Sequence, residues 1–97
     1  MVDAKQIISS AAKAFGITAD ELVSKKRYRS CADAKAVVCY VLCTLQSYKL
    51  IDVGHMLHIC HATVIYHNRR AGDWLRNPLI NPDGAKAIKE IEKEYIN

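Results

Sequence analysis

Asp3 with Gln6, and Thr18 with Glu21, are the spacing of a helix start repeated fifteen residues apart. A short side-chain oxygen takes an orphan N–H of the first turn, and the residue three further on reaches back to the cap. After the first pair, Val2, Ile7, Ile8, Ala11, Ala12 and Phe15 fall on one helical stripe, and Gly16 ends it. After the second, "ADELV" is room for a short helix. The same period continues downstream, and no segment alternates as a half-buried strand would. The chain is therefore expected to be all-α, with about six helices.

"SKKRYRS" has no apolar period and reads as an exposed loop, after which Ser30 or Asp33 can cap the next helix. That helix, "CADAKAVVCYVLCTLQS", is apolar nearly all round, the mark of a central buried element. "YKLIDVGHML" is a short amphipathic helix offering Leu50, Ile51, Val53 and Leu57 to the core. "HIC" is a tight connection, and "HATVIYHNRRAGDWL" is a helix bringing Val64, Ile65, Asn68 and Leu75 together, with Arg69 and Arg70 turned to backbone or solvent. "NPLINPDG" is a loop punctuated by proline. Pro82 opens a last helix with Ile88, Ile91 and Tyr95 on one stripe. Ninety-seven residues suit one domain, 1–97, with a core over 3–76 and an extra helix over 82–96.

Charge is unevenly placed. Lys25 to Arg76 holds nine Lys/Arg against three Asp, a surplus of six, whereas the remainder is two in deficit. A basic centre with neutral-to-acidic flanks points to a polyanionic partner. The longest apolar run, "AVVCYVLC", is too short for a bilayer, so no membrane partner is expected. "MVDAKQ" lacks the architecture of an export signal, and the four cysteines read as reduced thiols, so the expected location is cytoplasmic and nucleoid-associated.

The densest chemistry is His55, His58, Cys60 and His61 within seven residues. Zinc needs a tetrahedron, commonly built from two pairs on separate segments. Cys60 and His61 are adjacent and hard to aim at one ion, and no second pair of suitable spacing exists. Cys39 and Cys43 read as core residues. No metal is expected. With no Ser/His/Asp order, no phosphate-cradling glycine loop and no paired carboxylates near a histidine, no catalytic role is expected either.

A short helix, a tight turn and a second helix with polar residues at its front is the plan of a helix-turn-helix. "HICHATVI", "SKKRYRSCADAK" and "IISSAAKAFGITADELVSKKR" together resemble the C-terminal DNA-binding domain of the bacterial replication initiator DnaA, over about residues 5–75. The resemblance implies a TrpR-like helix-turn-helix bundle that binds double-stranded DNA, with roles open among replication control, transcription and mobile-element maintenance. Carried over by position, it implies a minor-groove role for Arg27 and a DNA contact for Lys35. It also implies a backbone–phosphate contact at Leu50, and His61, Ala62 and Thr63 at the front of the recognition helix. Lys25, Lys26 and Arg29 of the basic loop, and Arg69, complete the expected DNA-binding set.

The chain departs from the family pattern. The turn is one residue shorter, Cys60 replaces an acidic residue, Ala62 lacks the usual hydroxyl, and Ala36 stands where glutamine is common. Nothing in it resembles the initiator's ATPase domain, so no nucleotide cofactor is expected. A homodimer or a protein partner stays open. So does a rival in which the scaffold serves protein interaction and has lost specific DNA reading.

Overall fold

The structure, a computed structural model, describes residues 3–25 and 28–96. Val2 of the first stripe, and Lys26 and Arg27 of the basic loop, lie outside the described residues. Among the described residues six α-helices and one π-helical turn follow in order: α1 (Ala4–Ala14), α2 (Ala19–Val23), α3 (Arg29–Cys39), the π-turn (Tyr40–Leu45), α4 (Leu50–Leu57), α5 (His61–Arg76) and α6 (Pro82–Tyr95). The described residues contain no strand, and among them no helix is long and apolar enough to cross a membrane.

The start signals resolve individually. Thr18 and Glu21 form the reciprocal capping box, with bonds of 3.1 and 3.0 Å. The Asp3 side chain caps α1 through the Lys5 N–H, while the Gln6 N–H donates to the Asp3 backbone carbonyl. Neither Ser30 nor Asp33 caps α3, because the helix begins earlier, at Arg29, with Tyr28 in the cap position and no side-chain cap bond. Asn81 caps α6, accepting from the Gly84 N–H, and Pro82 occupies its first turn.

α3 is the axis of the bundle. Cys31 and Ala34 to Cys39 are buried around much of its circumference, and α1, α2, α5 and α6 all pack on it. The π-turn continues the chain with one extra residue per hydrogen-bonded ring, keeping both Val41 and Leu42 fully buried. It also holds Thr44 beside α5, where the Thr44 hydroxyl donates to Asn68 Oδ1 at 2.8 Å.

Two helices bury other faces than their apolar spacing suggests. On α4, Val53 and Leu57 are in the core and Leu50 is half-buried, while Ile51 is exposed. On α5 the inward stripe is Val64, His67, Ala71 and Trp74. Ile65 instead faces solvent, and Asn68 and Leu75 lie at the margin. The stripe that wins is the one giving the indole ring the deepest seat: Trp74 is 3% exposed. α6 approaches so closely that a Cβ on Gly84 would stand 2.5 Å from Trp74 Cε3, which only glycine permits.

One polar knot lies inside this shell. Asp33 of α3 accepts from Arg70 of α5 at 2.7 Å through Oδ1 and from Asn81 at the start of α6 at 3.2 Å through Oδ2. The Arg29 guanidinium stands 3.9 Å from Oδ2. Ile88 and Ile91 then seat α6 on the core.

Candidate nucleic-acid interface

α4 and α5 are joined by three residues whose geometry is closely set. His58 takes the left-handed conformation at φ 58°, ψ 42°. The Ile59 N–H then donates back to Gly54 O at 2.9 Å. A Cβ on Gly54 would fall 2.7 Å from Ile59 O, so the glycine lets the turn fold flat against the helix it leaves. The shortened "HIC" connection thus closes with a histidine in a position that glycine usually fills.

Cys60 is the N-cap of α5, and its carbonyl accepts from the Thr63 and Val64 N–H groups. Its exposed thiol sits 3.1 Å from Thr63 Oγ1. The Thr63 hydroxyl, helped by the backbone amides of Thr63 and Ala62, holds the Cys60 thiol below the ordinary cysteine range. His61 therefore follows the cap and is exposed, as is Ala62, while Thr63 is half-buried beside the thiol. Along the outer face of α5, Ala62, Ile65, Tyr66 and Arg69 are exposed, Tyr66 at 59%. The sequence reading missed Ile65 and Tyr66 as surface residues. The signal was available once His67, Ala71 and Trp74 were taken as the inner stripe, because these four lie on the opposite side at helical spacing.

Arg70 does not share that outer face. Besides its bond to Asp33, it meets His67 Nδ1 at 3.2 Å and lies over the Trp74 ring, 5.0 Å from the centroid. Burial, then the nearby Arg70 and Lys35 cations, lowers the His67 pKa from 6.5 to about 4, leaving a neutral imidazole.

The described part of the basic loop borders the same region. Lys25 and Tyr28 are exposed, and Arg29 is displayed on the first turn of α3. Lys35 is a correction to the sequence reading. It is only 7% exposed, and its ammonium donates to Ser24 O at 2.8 Å, so it ties the root of the loop to α3 instead of standing out toward a phosphate. Ala36 is wholly buried and reads nothing. Leu50 sits half-buried at the first position of α4, with Lys49 in a cap position that has no side-chain cap bond.

Between the loop and α5 runs a cleft of about 480 Å³. Lys25 and Lys35 line one side, His58, Thr63 and His67 the other. Among the described residues no three His, Cys, Asp or Glu side chains are grouped to hold a metal ion.

Two helices at a three-residue turn, the second with an exposed polar front and the first seated on the core, make this a helix-turn-helix protein. Residues 4–70 match the model of the bacterial DnaA protein helix-turn-helix, and the chain belongs to that family of DNA-binding domains. No curated protein matches it.

Proposed function

We propose that the chain is a sequence-preferring double-stranded DNA-binding module that reads a site at two places, in replication control or another regulatory role. The observation carrying this reading is that Lys25 of the basic loop and Thr63 of the recognition helix line one cleft, although thirty-eight residues separate them in sequence. In this reading α5 enters the major groove. His61 donates to a base or phosphate, Thr63 offers a hydroxyl and a methyl to base edges, and Ala62, Ile65 and Tyr66 give apolar contact to thymine methyls. Arg69 meets the backbone. Lys25, Lys26 and Arg29 neutralise phosphates while Arg27 enters the narrow minor groove of an A·T-rich flank. The backbone at Leu50 meets a further phosphate. No nucleotide or metal takes part, and tight sites call for a homodimer or a second protein.

About five to eight phosphates give a log–log salt slope near −5 to −7. The test is binding to a random-sequence duplex at several salt concentrations, then selection of preferred duplexes from a random pool. Thr63→Ala relaxes discrimination at one or two base pairs, and Lys25→Ala weakens binding to all sequences. Binding insensitive to salt, or a pool that yields no preferred sequence, overturns the reading.

A further inference from the structure

Leu79 and Ile80 are 87% and 56% exposed, two adjacent apolar side chains presented to solvent by one loop. They do not sit there by looseness of the chain. The Leu79 N–H donates to Asn77 Oδ1 at 3.3 Å and the Ile80 N–H to Asn77 O at 3.0 Å, with Pro78 and Pro82 on either side. Next to them is a groove of about 390 Å³ floored by Pro78, Pro82 and Ala85 and walled by Lys86, Lys89 and Lys93. All of it lies beyond residue 70, where the family match ends.

We propose that this loop and the outer face of α6 form a docking surface for an acidic amphipathic segment of a partner protein. The lysines recur at i, i+3 and i+7, one face of the helix, and span roughly 10 Å. Among the described residues the one carboxylate lining the groove is Glu90, 3.9 Å from Lys86, with both side chains largely in solvent, so it offsets little of the stripe's charge. A segment whose carboxylates share that spacing meets the lysines while its aliphatic side chains cover Leu79, Ile80 and the proline floor. Charge selects against a second copy docking through this same face, which brings the same positive stripe to the contact. Apolarity selects against nucleic acid, since a phosphate backbone gives Leu79 and the floor nothing to bury against. The inference stands apart from the DNA-binding reading, because none of its residues is used there.

The experiment uses the full chain and a labelled helical peptide with glutamates at i, i+3 and i+7 and leucines beside them. The expected result is micromolar, salt-weakened binding, lost in the triple variant Lys86→Glu, Lys89→Glu, Lys93→Glu and about tenfold weaker in Leu79→Ser. These side chains are exposed, and unchanged thermal unfolding confirms that the variants fold. Excess duplex DNA leaves the peptide bound. No binding by the parent chain, or binding indifferent to the lysine variant, overturns the proposal. Displacement by DNA makes the surface a nucleic-acid contact instead, and a concentration-dependent dimer abolished by Leu79→Ser makes a second copy the occupant; either result overturns it.

Discussion

Replacing Lys35 with methionine keeps the length of the side chain and removes its charge and its bond to Ser24 O. An ammonium-to-carbonyl bond of 2.8 Å contributes about 1.5–3 kcal/mol net of desolvation. A methionine buried in the same place, where the lysine is 7% exposed, returns about 1.5–3 kcal/mol of apolar burial, so net stability should stay within about 1 kcal/mol. The consequence falls on the loop. Ser24 and Lys25 at the root of the loop lose their tether, and ordering them again on DNA costs about 1–2 kcal/mol each. Since part of that order survives in the flanking helices, the expected loss is about 1–2 kcal/mol, or roughly 5–30-fold in affinity. The salt slope should barely move, because the loop cations still reach their phosphates. Anisotropy titrations over a salt series would measure both quantities, alone and in combination with Lys25→Ala. For a tether the two substitutions are non-additive. A slope reduced by about 0.9, together with strict additivity, would show Lys35 itself at a phosphate and refute the argument.

Three other outcomes follow from the same geometry. Asp33→Ala leaves Arg70 and Asn81 without their shared acceptor; because Arg70 is about a quarter exposed, the cost should be about 2–3 kcal/mol, less than for a fully buried pair. Thermal unfolding should then fall by about 10–20 °C, and a drop of only a few degrees speaks against the knot. His67 titrates near 4 in the fold against 6.5 when free, so its contribution is whole above pH 6.5 and shrinks as pH falls toward 4. Denaturant midpoints of the parent chain should decline more steeply over that window than those of His67→Gln, and parallel curves would contradict it. Cys60 should react first with a thiol reagent, since Thr63 lowers its pKa while burial raises those of Cys39 and Cys43. Mass spectrometry of brief labelling would decide, and a faster Cys43 would be the adverse result.

Local signals carried far in this chain, and long-range ones did not. The Thr18–Glu21 box, the Pro82 start and the tight "HIC" turn depend on neighbours within a few positions, and all three were legible. Asp33 was one of two residues, with Ser30, read as able to cap the helix, a common local use of an aspartate. Its actual donors lie 37 and 48 residues away, and no spacing rule reaches them. The face of α5 was misjudged for a related reason. Ile65 is the more apolar residue, but His67 can be buried as a neutral ring bonded to Arg70, and Trp74 settles the rotation of the helix. Lys35 looked like a DNA contact by its place in the motif, and only the fold shows its ammonium committed to Ser24.

Arg70 is the last residue of the family match, yet nothing in the packing stops there. A fragment ending at that arginine would keep every base-reading candidate while losing the indole of Trp74 and the two isoleucines of α6. Ile88 and Ile91 alone represent about 3–6 kcal/mol of burial. A whole small domain commonly holds only about 5–15 kcal/mol in reserve. The stretch proposed to meet the double helix and the stretch able to stand upright are thus different lengths of the same polypeptide, and trimming to the first forfeits the second.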